Sequence, residues 1–123
     1  MVALSRIDAV QSPPLAPAEQ PIDLDHLSRM TLGDRSLERE VLALFNRQAD
    51  MLLARMREGN AAMVAASAHT LKGSARGIGA WCVARAAEAV EKGSASERVT
   101  LIGSLAVAVE QAKVSISAML GAH

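Results

Sequence analysis

The sequence has almost no aromatic residues: Phe45 and Trp81 are the only two, and tyrosine is absent. Its single cysteine, Cys82, has no partner for an internal disulfide, so oxidative stapling is excluded and a reducing compartment is compatible. Neither sign of charge is in excess, with 13 Lys+Arg against 13 Asp+Glu, and this argues against a nucleic-acid binder, which carries a basic surplus. Long apolar runs are missing as well. The uncharged stretch from Val99 to Val109 covers eleven positions, where a membrane span needs about 20. Arg6 and Asp8 sit where a signal peptide would need its apolar core. These absences predict a cytoplasmic protein with neither a membrane nor a nucleic acid as its partner.

What is present is alanine and leucine, in a chain of 123 residues that is half hydrophobic. Both are strong helix formers, and the length suits one domain. All four prolines (Pro13, Pro14, Pro17 and Pro21) fall in the first 21 residues, which read as a flexible Pro-rich leader to a domain over residues 22–121. After Pro21 the pattern is helical throughout. Asp23 caps a short helix to about Thr31, and Gly33-Asp34 breaks and restarts the chain. Leu37, Val41, Leu44, Phe45, Leu52 and Met56 then form a helical stripe that Gly59 closes. Asn60 caps a third helix to about Arg76, where Gly77 and Gly79 interrupt it. A fourth runs from about Ala80 to Lys92, with Val83, Ala86, Ala87 and Val90 inward. Ser94 to Glu97 reads as a capping box that opens a last helix to about Leu120, with Leu101, Leu105, Val109, Ala112, Ile116 and Met119 inward. No segment shows the two-residue alternation of a strand. The fold class is all-α: an antiparallel four-helix bundle, up-down-up-down, with a short extra N-terminal helix.

The third helix carries the chemistry. On a wheel of about 100° per residue with His69 at zero, Val64, Leu71, Ala75 and Ile78 lie between about 180° and 240°. The core stripe is on the far side, so His69 points to solvent. Ala62, Ala65, Ala66, Lys72, Gly73 and Arg76 lie within about 60° of it. A solvent-facing histidine with no role is the plain alternative. Gly73 weighs against that alternative, because glycine inside a helix costs about 1 kcal/mol relative to alanine. Close approach of another protein to the imidazole is a reason to keep it there. The methionines read as helix-stripe residues and Trp81 as filling at the bundle rim. His26 and His123 make no pair with metal-ligand spacing, so no metal site is expected.

Ala68-His69-Thr70-Leu71-Lys72-Gly73-Ser74-Ala75, followed by Ile78-Gly79, resembles the signature of histidine-containing phosphotransfer (HPt) domains, approximately A-H-x-L-K-G-S-S/A-x-x-L/I-G. Ile22-Asp23-Leu24 with Leu27, then Gly33-Asp34, resembles the usual start of that bundle, so the likeness covers about residues 22–120. Arg76-Gly77 departs from the pattern, which more often has an alanine and a polar residue there. The resemblance implies that His69 accepts a phosphoryl group on Nε2 and passes it between a histidine kinase, possibly hybrid, or its receiver domain and the aspartate of a response-regulator receiver domain. A neutral exposed imidazole is a competent nucleophile near pH 7. Lys72, at i+3, would offset the phosphoryl charge, and Arg76 on the same face could assist. Family members place a Glu or Gln twenty-two residues after the histidine, here Glu91, which would hold the Nδ1–H tautomer and orient the ring; Glu88 competes for this role. Gly73, Arg76, Ala65 and Ala66 would form the docking face.

No glycine-rich phosphate loop is present, so the chain is read as a phosphoryl carrier and not an enzyme. It has no cofactor of its own, Mg²⁺ being needed in the partner receiver, and it is expected to be a monomer. Two other functions compete. The dimerisation hairpin of a histidine kinase would follow its histidine at once with an acidic residue and then a proline, and here Thr70 follows His69. A non-catalytic bundle that sequesters a receiver domain or kinase would have no use for an exposed histidine.

Overall fold

Short polar side chains start three of the five helices. The computed structural model describes residues 20–121, so the leader lies outside the described residues apart from Gln20 and Pro21. The helices are α1 (Leu24–Met30), α2 (Arg35–Glu58), α3 (Ala61–Ile78), α4 (Trp81–Lys92) and α5 (Arg98–Gly121). Asp23 accepts from the backbone N–H of His26 at 3.1 Å, Asp34 from Leu37 at 3.0 Å and Asn60 from Met63 at 2.9 Å. Each cap satisfies a first-turn donor that has no partner inside its helix. The Ser94–Glu97 box forms only in part. Glu97 accepts from the Ser94 backbone N–H at 2.9 Å, but the Ser94 hydroxyl bonds the same carboxylate, and α5 begins at Arg98 after a turn.

Cross-helix bonds establish the directions. Arg39 reaches the carbonyl of Leu120 and Lys113 reaches Asp50, so numbers rising along α2 meet numbers falling along α5. Lys72–Glu91 and Arg76–Glu88 show the same opposition between α3 and α4. With α2 against α3 and α4 against α5, the four long helices close an antiparallel ring, and α1 packs on α3. The core holds Phe45, Leu42, Leu52 and Met56 from α2, Val64, Leu71 and Ile78 from α3, Val83 and Val90 from α4, and Leu105, Val109 and Ile116 from α5. Burying each large side chain contributes about 1.5–3 kcal/mol. Alanines at 68, 75, 84 and 87 are fully buried or nearly so, and these small side chains let α3 and α4 approach closely.

The stripe predicted on α2 is partly displaced. Leu37 and Leu44 are exposed, and Leu42, Ala49 and Leu53 fill the core with Phe45. Both sets have helical spacing, about 100° apart, and the positions of the neighbouring helices decide between them. Met30, Met51 and Met63 are likewise exposed. The long C-terminal helix α5 is apolar enough to cross a membrane by length and composition, with a mean hydropathy of 1.4. Its residues Ile102, Leu105, Val109, Ala112 and Ile116 are buried against the other helices.

The end of α3 also differs from expectation. Gly77 does not break the helix, which continues to Ile78. Gly79 ends it, with φ +80° and its backbone N–H returned to the Ala75 and Arg76 carbonyls. That turn is locked from outside. Asp23 donates its backbone N–H to the Gly79 carbonyl at 2.9 Å and accepts from Trp81 Nε1 at 2.9 Å. The Trp81 bond, then the His26 N–H, holds the Asp23 carboxyl below its ordinary value. The His26 ring meets Trp81 edge-on at 4.8 Å, and its Nε2 donates to the Arg76 carbonyl at 2.9 Å.

These two glycines should respond oppositely to alanine. A Cβ at Gly77 meets nothing within 4 Å, so Gly77→Ala should stabilise by up to about 1 kcal/mol. At Gly79 a Cβ would lie 2.9 Å from the Asp23 carbonyl in a backbone region that costs about 1–2 kcal/mol for a side-chain-bearing residue. Gly79→Ala should therefore lower stability by more than about 1 kcal/mol in thermal unfolding.

Candidate functional site

His69 stands mid-way along α3, and its side chain is 68% exposed, the phase the wheel assigns to it. Its Nδ1 lies 2.8 Å from Glu91 Oε2 on α4. The other oxygen of the same carboxylate, Oε1, accepts from Lys72 Nζ at 2.7 Å. An ionised carboxylate only accepts hydrogen bonds, so Nδ1 donates, and in the neutral ring the lone pair is on Nε2. The small residues at the α3–α4 seam bring Glu91 within this reach.

Lys72 is the least exposed member of the three, at 13%, and its ammonium faces Glu91. The ammonium is thus held by the carboxylate that also binds His69 Nδ1. Glu91 is held below the ordinary glutamate value first by the Lys72 hydrogen bond and then by that from His69. A depressed carboxyl contributes stability above about 4.5, and the contribution is lost as pH falls through the lowered value. Glu88, the competitor for His69, is engaged elsewhere. It accepts from Arg76 at 3.1 Å and from Lys92 at 3.0 Å, and the Lys92 bond is the main cause of its lowered pKa.

Of the remaining candidates, Gly73 and Ala66 are exposed beside His69, whereas Ala65 is half-buried. Arg76 shares the face and is 54% exposed. On the α2 side, Ser74 donates to Gln48 at 2.9 Å, and Leu44 and Met51, one turn either side of Gln48, are exposed. With Met63 they form an exposed apolar set, although the sequence reading assigned Leu44 and the methionines to the core. The seven-residue spacing of Leu37, Leu44 and Met51 is the signal that carried it. Among the described residues no group of His, Cys, Asp and Glu could hold a metal ion.

Glu91→Ala should move His69 away from the Nδ1–H tautomer, read from ring ¹⁵N shifts. Lys72→Met should keep that tautomer while raising the Glu91 titration, followed by its carboxyl ¹³C shift, toward the ordinary value. An unchanged Glu91 titration would mean that the ammonium does not act on this carboxylate.

The sequence model of the Hpt domain matches residues 40–115, a span that contains His69, Lys72 and Glu91. No curated protein and no solved structure matches the chain.

Proposed function

The chain belongs to the Hpt domain family, whose members are phosphocarrier modules of two-component systems, and from that premise we propose that it carries a phosphoryl group on Nε2 of His69 between receiver-domain aspartates or from a histidine kinase. The observation that carries this reading is the 2.8 Å bond from Nδ1 to Glu91 on an imidazole whose other nitrogen faces solvent. In the forward step the Nε2 lone pair attacks the phosphorus of an aspartyl phosphate. The N–P bond forms as the P–O bond breaks, and the aspartate leaves with the electron pair. The ring then holds hydrogen on Nδ1 and phosphoryl on Nε2, and its positive charge faces the Glu91 carboxylate. In the return step a carboxylate oxygen attacks phosphorus, the N–P bond breaks, and its electron pair returns to Nε2. Because Nδ1 keeps its hydrogen, the leaving group is a neutral imidazole. Glu91 is therefore a positioning residue in both directions, and Lys72 supports it.

The chain's residues supply orientation, charge and access. Mg²⁺ belongs to the acidic pocket of the partner receiver in this reading, and the carrier acts as a cytoplasmic monomer. An exposed, tautomer-fixed histidine favours transfer over mere sequestration of a receiver or kinase, since sequestration makes no use of a free Nε2.

The test is incubation with receiver domains from the same genome, loaded with acetyl phosphate. His69→Gln should fold normally and take no label, and the wild-type label should be acid-labile and base-stable, as an N–P bond is. Equal labelling of wild type and His69→Gln contradicts the proposal. Gly73 supplies a second handle, because a Cβ there meets nothing within 4 Å. Gly73→Leu should be at least as thermally stable as wild type, the helical gain being up to about 1 kcal/mol. Its transfer should be much slower, since reacting atoms must come within about 3.5 Å in line.

A further inference from the structure

Two turns beyond His69, α3 and α4 part to leave a cleft of about 320 Å³ lined by Arg76, Trp81, Ala84, Arg85 and Glu88. A water's share of liquid volume is about 30 Å³, so the space admits a side chain. We propose that this cleft receives an acidic side chain from the rim of the partner receiver's phosphorylation pocket and thereby selects among receivers. The proposal rests on the phosphocarrier reading above and adds a specificity site to it.

Charge supplies the first argument. α3 contains no Asp or Glu at all, and residues 61–92 hold four cations (Lys72, Arg76, Arg85 and Lys92) against two carboxylates, in a chain whose net charge is zero. The two helices that carry His69 and the cleft thus have two cations in excess, which complements an acidic pocket.

The occupant of the cleft can also be exchanged easily. Arg76 is bound to Glu88, but in an exposed pair, 54% and 36%, of a kind that contributes little. Glu88 keeps Lys92 at 3.0 Å when Arg76 turns away, so an incoming carboxylate takes over the guanidinium without stranding a charge. Arg85 completes the wall, donating to Cys82 Sγ at 3.4 Å.

Placement is the third. Arg76 lies about 10.5 Å along the helix from His69 and within about 20° of it in phase. Gly73 between them is exposed, so a body seated on the imidazole continues unobstructed to the cleft. Behind the cleft the Arg76 carbonyl is held by His26 and the Trp81 ring by Asp23, both at 2.9 Å, so the walls are fixed before docking. The complementary acidic side chain should stand about 10 Å from the phosphorylated aspartate. The guanidinium meets it as a planar donor fork, which a lysine cannot reproduce.

The experiment uses the full chain and the receiver domain of the same genome that exchanges label with it fastest. Arg76→Glu and Arg85→Glu should each raise KM at least tenfold with kcat within twofold, and should weaken the salt dependence of kcat/KM. Arg76→Lys should raise KM about threefold. Arg57→Glu, five turns from Arg39 on the side of α2 that faces α5, should change KM less than twofold. Circular-dichroism spectra and thermal unfolding of Arg76→Glu and Arg85→Glu should match wild type, since exposed ion pairs contribute little, and this excludes misfolding. A wild-type KM in both charge reversals, or a loss confined to kcat, overturns the cleft while leaving the carrier reading intact. Failure of wild type to exchange label with any receiver overturns both.

Discussion

One carboxylate shared between two donors governs the exposed face of this protein. Glu91 takes the Nδ1 hydrogen of His69 on one oxygen and the Lys72 ammonium on the other. The first bond sets the tautomer of the neutral ring, and the second is the main cause of the lowered Glu91 pKa. Neither works unless α3 and α4 lie close together, and that closeness comes from alanine at 68, 75, 84 and 87. The alanine-rich composition therefore does more than favour helix. It brings a charged group on one helix within hydrogen-bond distance of a ring on the next.

The bundle end supports the same arrangement from the other direction. Asp23 caps α1, binds the Gly79 carbonyl and accepts from Trp81, while His26 binds the Arg76 carbonyl. These bonds fix where α3 stops and α4 starts, and so set the register in which Glu91 falls opposite His69 and Glu88 opposite Arg76. A one-residue shift of α4 would turn its carboxylates by about 100° and undo both pairings. Leu44, Met51 and Met63 are exposed, and the α4 side of the histidine's helix is ion-paired.

Features set within a few residues of each other were legible in the sequence. Asp23 and Asn60 were readable as caps because a cap bonds three residues ahead, Gly33-Asp34 was readable as a restart, and the phase of His69 followed from the apolar positions of its own helix. Features that depend on how helices meet were not. Leu42 and Leu44 differ by two positions, and only the placement of α3 and α5 sends the first inward and leaves the second exposed. Gly77 looked like a break because its helix cost is local, yet the αL turn that ends α3 needed Asp23 against Gly79. The distinction between Glu91 and Glu88 came from family resemblance, since an inter-helix register cannot be counted along one chain. That Lys72 faces Glu91 and not solvent was hidden for the same reason: its partner is nineteen positions away.

The central claim is that Glu91 holds the hydrogen on Nδ1 and so leaves Nε2 to take phosphoryl. The most direct measurement is ³¹P and ¹⁵N NMR of histidine-labelled protein after transfer from a loaded receiver domain. The predicted spectrum has phosphorus coupled to Nε2 of His69 and hydrogen retained on Nδ1. Phosphorus coupled to Nδ1, or found on a residue other than His69, would contradict the account.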